Sequence, residues 1–291
     1  MKGRGRCHGA VSIVNAIPSG RGAAVGVALG TEAAVEMSRG AGGWSVSSNG
    51  ASVSSPLLVR TAELVLASRG EPAGFGGRID VSTEIPMGRG LKSSSSSSVA
   101  VALAVLSALG ERRYRPEELL RWSVDASLAT GVSVTGAMDD AAACLLGGVN
   151  HCDNSKRLLL RSSPSEQRLA VLIKVPPTGS NRGTADLGLV RKFAGVADGV
   201  FDMSMAGMHW PAMTLNGLLC SSLFGYESEP ALQAVRGGAL GAGLSGTGPA
   251  VAAVFPEGAG TNGLKEAWGR DGSLVIETET TDAAGELIGA G

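Results

Sequence analysis

The sequence predicts a protein that combines helices and strands in two domains, and three observations support this prediction. The chain has 291 residues, more than one average domain needs, and 44% of them are hydrophobic, enough for sizeable cores. Segments with the patterns of strands and of helices follow one another along the whole chain. A polar and charged stretch over residues 150–164 divides it into two parts. We therefore expect one domain over residues 1–155 and a second over residues 156–291.

The first segments predict strands and one amphipathic helix. Residues 9–17 are rich in β-branched side chains and predict a strand, which ends in a turn over residues 18–22. Further strands are expected over residues 23–35 and 44–47, the second of which alternates polar and apolar side chains. Residues 56–69 place most of their apolar side chains on one face at helical spacing, and so predict a helix.

The next segment is a strand over residues 78–85, a glycine loop, and a helix over residues 95–109. In the loop, Gly88 and Gly90 allow a tight turn and a close approach to a ligand, and Lys92 adds one cation. The first amide groups of a helix have no partner within the helix and bind anions, phosphate above all. The order of these parts predicts a cradle for the phosphates of a nucleotide.

Six consecutive serines, Ser93–Ser98, follow the loop and leave two other interpretations open. One is a flexible low-complexity linker, although an apolar, helix-compatible segment follows at once over residues 99–109. The other is an ordinary turn with a capped helix. The phosphate loop of the form G-x-x-x-x-G-K-[ST] does not match, because Leu91 separates Gly90 from Lys92.

A second informative stretch contains two adjacent acids, Asp139 and Asp140, at the start of an alanine-rich helix. It follows another helix, expected over residues 116–129, in which a proline occupies the first turn. Acids at the start of a helix are often simple capping residues. Beside a phosphate loop, however, a carboxylate can accept a hydroxyl proton or help to hold Mg²⁺.

The second half of the chain predicts strands, helices and a further glycine cluster. Its expected strands cover residues 169–175, 250–255 and 273–280, and its expected helices cover residues 186–197 and 211–224. The glycine cluster, Gly241–Pro249, comes directly before the second of these strands.

Composition and charge exclude several classes of function. The net charge is −1, whereas a broad nucleic-acid interface needs a clustered basic surface. The longest apolar run, residues 99–109, is shorter than the roughly 20 residues that span a bilayer, and Asn15 and Pro18 interrupt the stretch that a signal peptide would need. The four cysteines lack the spacing of a zinc site or a disulfide framework. We therefore expect a cytoplasmic protein without a nucleic-acid or membrane partner.

Three motifs together resemble those of the GHMP kinases, the superfamily of homoserine, mevalonate and galactose kinases. The loop Pro86–Ser96 resembles their phosphate motif, which here reads P-x-x-x-G-L-x-S-S. The turn Gly243–Pro249, followed by a strand, resembles their third motif, a glycine-rich loop that supports the first. Asn15–Gly22 lies where these kinases have their substrate-side motif. The resemblance covers nearly the whole chain.

Within the superfamily, the sequence is most similar to the archaeal-type shikimate kinases. The most specific feature is the string T-G-A-M-D-D at Thr135–Asp140, since other branches carry a string of the P-S-G-x-D type. The sequence departs from the expected pattern at Ser96–Ser98, where most relatives have alanines, and at Met138, where an aromatic residue is expected.

This resemblance implies an α+β fold of two domains with the nucleotide between them. The N-terminal domain would be of the ribosomal protein S5 domain 2-like kind and the C-terminal domain ferredoxin-like. The resemblance further implies ATP and Mg²⁺ as cofactors and shikimate as the small-molecule substrate. The expected reaction is transfer of the γ-phosphoryl group to the shikimate 3-hydroxyl group, in the chorismate pathway of aromatic amino acid biosynthesis. The oligomeric state is left open.

The resemblance also implies roles for individual residues. The expected catalytic residues are Lys92, Asp139 and Asp140. Mg²⁺ is expected at Ser94 and Asp139, with the division of roles between the two acids left open and Asp125 as a weaker alternative for the metal. The residues expected to bind the nucleotide are Pro86, Gly88, Arg89, Gly90, Leu91, Lys92, Ser93, Ser94, Ser95 and Ser96.

The residues expected to bind shikimate are Asn15, Arg21, Thr178 and Arg182. The two arginines are chosen because a bidentate guanidinium suits a carboxylate better than an ammonium does. Most arginines are simply exposed to solvent, and this alternative stays open for both. Ser245 and Thr247, in the glycine cluster, are expected to support the phosphate loop rather than to take part in the chemistry.

Two other functions stay open at this point. One is a homoserine-type kinase, whose acceptor carries an amino group as well as a carboxylate. The other is a relative that binds ATP and a ligand without catalysis. The presence of Lys92, Ser94, Asp139 and Asp140 favours a catalytic protein over such a relative.

Overall fold

The structure is a computed structural model and describes residues 1–71, 74–165, 167–177 and 186–289. Its strands are β1 (Lys2–Val14), β2 (Arg21–Arg39), β3 (Trp44–Ser48), β4 (Ala51–Ser52), β5 (Phe75–Thr83), β6 (Val149–Asp153), β7 (Leu158–Ser163), β8 (Ala170–Val175), β9 (Gly241–Leu244), β10 (Val251–Phe255), β11 (Leu274–Glu279) and β12 (Glu286–Ile288). Its helices are α1 (Pro56–Ser68), α2 (Ser93–Ala108), α3 (Pro116–Ala129), α4 (Met138–Leu146), α5 (Leu187–Lys192), α6 (Ala194–Met205), α7 (His209–Phe224), α8 (Glu229–Arg236) and α9 (Asn262–Gly269).

The long strand β2 is the centre of the first sheet. Its residues 21–25 pair with β6, its residues 31–39 pair with β5, and β1 runs antiparallel along both stretches. The main path of the sheet has the order β12-β1-β2-β5-β3-β4, and β7 extends it beyond β6. Strand β3 runs parallel to β5, so the sheet is mixed.

The second sheet is antiparallel and has the order β11-β8-β10-β9. Counted along the chain, these strands follow the order 4-1-3-2, with helices between the first and second strands and between the third and fourth. This is the ferredoxin-like arrangement that was expected for the C-terminal half. The expected α+β fold is therefore confirmed.

Helix α2 packs closely on β1, and this packing fixes the start of the helix beside the sheet. Its residues 99–106 are completely buried. Along β1, charged residues at positions 2, 4 and 6 face outward, and Gly3 and Gly5 face inward. A Cβ atom on Gly5 would lie 2.6 Å from the backbone oxygen of Ala100, so only glycine allows the helix to come so near.

The other face of the first sheet packs on the second sheet. Val11, Ile13 and Val25 lie in one buried cluster with Ile173 and Val254. Both faces of β1 are therefore covered, one by helices and one by the second sheet. Within the described ranges, no helix has the length and hydropathy needed to cross a membrane.

Several boundaries differ from those expected. Strand β1 begins at Lys2, whereas the sequence predicts a start at residue 9. The prediction missed the first residues because they contain glycines, which are rare in strands and whose role in packing is not visible in the sequence. The helix expected over residues 186–197 is interrupted at Phe193, which ends α5 and precedes α6. Strand β12 and helices α8 and α9 were not expected at all.

The expected domain boundary at residues 155 and 156 lies in the turn between β6 and β7, which pair with each other in the first sheet. Strand β12 also returns to that sheet, although it follows the whole second sheet along the chain. The division at this position stays a prediction.

Candidate active site

The loop over residues 86–92, here called the phosphate loop, connects β5 to α2 by way of three left-handed residues. The φ angles are +68° at Gly88, +83° at Gly90 and +65° at Lys92. Glycine adopts such angles freely, whereas a lysine rarely does, so the conformation of Lys92 depends on its surroundings. The buried side chain of Leu91 anchors the loop between the last two of these positions.

The glycine cluster of the second half, Gly241–Pro249, lies directly against the phosphate loop. Ser245 Oγ donates a hydrogen bond to the carbonyl oxygen of Gly90 at 2.8 Å. The backbone nitrogen of Ala250 donates to the carbonyl oxygen of Arg89 at 3.1 Å. A Cβ atom on Gly90 would collide with the carbonyl oxygen of Ser245. Ser245 supports the phosphate loop as expected, and Thr247 is exposed.

The serine run forms the first turns of α2 and is not a linker. Ser94 is exposed and Ser93 half-buried, so both hydroxyl groups are open to a ligand. Ser95 and Ser96 are buried. Ser98 is also buried, and its hydroxyl group lies 2.9 Å from that of Thr61 in α1. The run therefore contains hydroxyl groups that a ligand can reach, on Ser93 and Ser94, and buried serines that pack the helix.

The ammonium group of Lys92 lies between two oxygen atoms from different parts of the chain. It donates a hydrogen bond to Ser12 Oγ at 2.8 Å and forms an ion pair with Asp140 Oδ1 at 2.9 Å. The side chain of Lys92 is only 6% exposed, so solvent screens this pair little. Ser12 Oγ also accepts a hydrogen bond from the backbone nitrogen of Gly246 at 3.0 Å.

Asp139 is the more deeply buried of the two acids. Its Oδ1 accepts a hydrogen bond from Asn154 Nδ2 at 2.7 Å, and a Cβ atom on Gly22 would collide with its Oδ2. Burial, and then the charge of Asp140, raise the pKa of Asp139 to about 7, although Lys92 and the hydrogen bond from Asn154 act in the opposite direction. A group with this pKa can take up and release a proton near neutral pH.

The two acids belong to the first turn of α4, and neither is its N-cap. That position is held by Ala137, which has a left-handed backbone. The positive end of the helix favours carboxylates in its first turn. Since the side chains contact Lys92 and Asn154, the capping interpretation does not account for them.

Arg21 is held by helix α6. Its guanidinium group forms ion pairs with Asp198 Oδ1 at 3.3 Å and Asp202 Oδ1 at 2.6 Å. The same group stacks on Phe201, with its central carbon 4.1 Å from the centre of the ring. Arg21 is thus neither free nor simply exposed, and a substrate carboxylate would compete with two carboxylates of the protein itself.

The other residues expected to bind the substrate or the metal differ in their surroundings. Asn15 is buried, and its Nδ2 donates to the carbonyl oxygen of Gly246 at 2.8 Å. Asp125 forms an ion pair with Arg157 at 2.7 Å, which gives it a partner other than a metal ion. Thr178 and Arg182 lie outside the described residues.

Two residues of the site, Ser12 and Asn154, were missed in the sequence. Ser12 interrupts an apolar strand, and a polar residue in such a place is a usable signal. Asn154 follows β6 in a polar turn, where nothing distinguishes it from an ordinary turn residue.

A cavity of about 580 Å³ lies between the β3–β4 hairpin and the start of α1. Apolar residues that line it are Trp44, Val46, Val53, Pro56 and Val59. The hairpin also touches the phosphate loop, since Ser48 Oγ lies 4.0 Å from Met87 Sδ. The hairpin that lines the cavity therefore approaches the phosphate loop at Met87, and the cavity has room for an aromatic ring system.

Comparison with known proteins gives consistent results. The family profile "GHMP kinases N terminal domain" matches residues 56–148. The shikimate kinase of Methanothrix thermoacetophila is 37% identical over 287 residues, which cover 99% of this chain and 96% of the relative. The shikimate kinase of Methanocella arvoryzae is 37% identical over 289 residues, which cover 99% of this chain and 97% of the relative.

Among solved structures, the homoserine kinase from Cytophaga hutchinsonii superposes with a TM-score of 0.74. The superposition covers 99% of this chain and 97% of that chain, at 19% sequence identity. At this level of identity the likeness shows the fold alone.

The environment of Asp139 leads to a prediction about stability. Asp139→Asn should stabilise the protein at pH 8, and clearly less at pH 5. An unfolded aspartate has a pKa near 3.9, so the folded state, with a pKa of about 7, holds this proton more tightly. The resulting stability is complete below about pH 4 and is lost as the pH rises through 7. Asparagine keeps the shape of the side chain and has no charge to bury.

We expect the midpoint of thermal unfolding, followed by circular dichroism, to rise by several degrees at pH 8. Asp125→Asn is the control, because Asp125 is paired with an exposed arginine and should respond similarly at both pH values. A lower midpoint for Asp139→Asn at pH 8 would contradict the prediction.

Proposed function

The chain belongs to the shikimate kinase family of the GHMP kinases, and on that premise we propose that it transfers the γ-phosphoryl group of ATP to the 3-hydroxyl group of shikimate. Members of this family are ATP-dependent small-molecule kinases, and so is this chain. The expected resemblance to the GHMP kinases is thereby confirmed. The observation that carries the proposal is the ion pair of Lys92, the last residue of the phosphate loop, with Asp140 of α4.

The phosphate loop and the start of α2 bind the nucleotide phosphates in this proposal. Backbone amide groups of the loop, together with the positive end of the helix, attract the anion. Lys92 adds a positive charge, which phosphoryl transfer needs because negative charge accumulates on the transferred group. The residues assigned to this cradle are Pro86, Gly88, Arg89, Gly90, Leu91, Lys92, Ser93, Ser94, Ser95 and Ser96.

Mg²⁺ fits the donor set of this site. It takes few protein oxygens and keeps several waters, and the exposed hydroxyl group of Ser94 with one carboxylate of α4 meets that need. When bound, Mg²⁺ would neutralise charge on the phosphates. Mg²⁺ is expected from the sequence at Ser94 and Asp139; the proposal keeps Ser94 but replaces Asp139 with Asp140, the less buried of the two acids.

Asp139 is the general base in this proposal. Its pKa of about 7 suits proton uptake from a hydroxyl group at neutral pH. Asn154 holds one carboxylate oxygen in place, and Gly22 leaves room for the other. The chain itself thus orients the group that receives the proton.

The cavity at the β3–β4 hairpin is assigned to the adenine ring. Its apolar walls suit a flat aromatic ring, and the hairpin that lines it also approaches the phosphate loop at Met87. The proposal therefore places one ligand, ATP, across the cavity and the loop.

The residues assigned to shikimate binding in this proposal are Asn15, Arg21, Thr178 and Arg182. Arg21 lies next to Gly22, and therefore close to Asp139, which supports a place near the acceptor. To bind the shikimate carboxylate, Arg21 must exchange partners, because Asp198 and Asp202 hold it in this structure.

We include a cytoplasmic location in the proposal, because the four cysteines are free and buried, as suits a reducing compartment.

The first test is an assay of ADP release with ATP and Mg²⁺, comparing shikimate, homoserine and mevalonate as acceptors. Turnover with shikimate alone is expected. Turnover with homoserine instead would keep the phosphate site and overturn the substrate assignment. ATP binding without turnover on any acceptor would indicate a non-catalytic relative.

The assignment of the base predicts a specific pH dependence. The base must be unprotonated, so kcat should fall as the pH drops below about 7. Asp139→Asn should lower kcat by about 10²-fold or more and remove this dependence. Asp125→Asn, outside the site, should leave both unchanged. If Asp139→Asn keeps most of the activity, Asp139 is not the group that accepts the proton of the substrate hydroxyl.

The assignment of the cavity predicts an effect on ATP alone. Val59→Trp fills the space and should raise the KM for ATP by about tenfold, with the KM for shikimate unchanged. Val235→Trp, an exposed valine in α8, is the matched control and should change neither constant. A higher KM for shikimate in Val59→Trp would indicate that the cavity binds the acceptor rather than the adenine ring.

A further inference from the structure

The side chain of Ser12, on β1, contacts both the cation of the phosphate loop and the glycine cluster of the second half. Its Oγ accepts hydrogen bonds from Lys92 Nζ at 2.8 Å and from the backbone nitrogen of Gly246 at 3.0 Å. Its backbone nitrogen donates to Ser245 Oγ at 3.2 Å, and that hydroxyl group donates to the carbonyl oxygen of Gly90. The residue is 2% exposed.

The strand itself explains why a serine can occupy this position. Val11 and Ile13, on either side, are buried in the cluster against the second sheet. Because successive side chains of a strand point to opposite faces, Ser12 faces the helices instead. Its hydroxyl group is thus carried by a rigid element whose direction is fixed by two buried neighbours.

The donors of Lys92 can be counted. An ammonium group has three N–H donors. One makes the hydrogen bond to Ser12 Oγ. Asp140 Oδ1 lies 2.9 Å from the nitrogen as an ion-pair partner, but among the described residues it takes part in no hydrogen bond. Ser12 Oγ therefore fixes the direction of one N–H donor, and the other donors are then available to the phosphates of the nucleotide. With the ion pair alone, the ammonium group could rotate.

We propose that Ser12 is a positioning residue for the nucleotide, whose hydroxyl oxygen fixes the ammonium group of Lys92 toward the phosphates. This inference rests on the proposed function of the phosphate loop. If Ser12 only joined β1 to the glycine cluster, its role would be merely structural. The effect of Ser12→Ala on ATP affinity would then not depend on Lys92.

The test is a double-mutant cycle on ATP affinity, measured by isothermal titration calorimetry with Mg²⁺ and without an acceptor. Ser12→Ala should weaken ATP binding by about tenfold, the size expected for a lost hydrogen bond to a charged group. Lys92→Met should weaken it at least as much. In the Lys92→Met background, Ser12→Ala should have less than about a twofold further effect, since coupled residues are not additive.

Two further variants separate positioning from packing. Ser12→Thr keeps the oxygen acceptor and should stay within about threefold of the parent, whereas Ser12→Cys keeps the size but is a weak acceptor and should resemble Ser12→Ala. Ser98→Ala is the matched control, a buried serine that contacts Thr61 rather than Lys92. Its ATP affinity should equal that of the parent.

Additive effects of Ser12→Ala and Lys92→Met would overturn the inference. The inference would also be overturned if the Ser12→Cys variant folds and binds ATP as tightly as the parent. This second comparison keeps the test decisive if Ser12→Ala does not fold. The proposed function fails separately, because it depends on turnover with shikimate, whereas this cycle needs only ATP.

Discussion

The contact between the two glycine loops is the constraint on which the site depends. At Gly90 and Ser245 the two backbones approach so closely that no side chain fits on residue 90. The phosphate loop comes from the first half of the chain and its support from the second, and Ser12 of β1 joins both. The phosphate site is therefore built from both halves of the chain. The packing of the two sheets against each other, through residues such as Ile13 and Ile173, holds these loops in register.

The charges of the site illustrate a conflict between function and stability. Two carboxylates and one ammonium group share a nearly dry space, and only one ion pair, Lys92 with Asp140, is complete there among the described residues. Burial, and then the charge of Asp140, raise the pKa of the second carboxylate, on Asp139, to about 7. Burying such a group disfavours the folded state at neutral pH. The same burial gives a carboxylate that exchanges protons at neutral pH, as catalysis needs.

Local pattern was enough for much of the fold and for part of the site. The bounds of α3, the order of strand, phosphate loop and α2, and the helical start at Asp139 and Asp140 follow from short-range signals and agree with the structure. What could not be predicted depends on residues far apart in the chain. Nothing near Arg21 indicates that α6 would supply Asp198 and Asp202 as its partners. Likewise, the link between Ser12 and Lys92 exists only once β1 and α2 have packed together.

Strand β12 has a consequence for the way in which the protein is made. It pairs with β1, and the ion pair of Arg6 with Glu286 joins residues 280 positions apart. During synthesis, β1 leaves the ribosome early and its outer edge has no partner until β12 appears. An open strand edge invites pairing with other chains. The charged residues that β1 presents outward at positions 2, 4 and 6 lie on this exposed stretch. Glu36 and Glu32 of β2 pair with Lys2 and Arg4, but Arg6 has no partner until Glu286 is made with β12. A charge left on an open edge opposes edge-to-edge association of nascent chains.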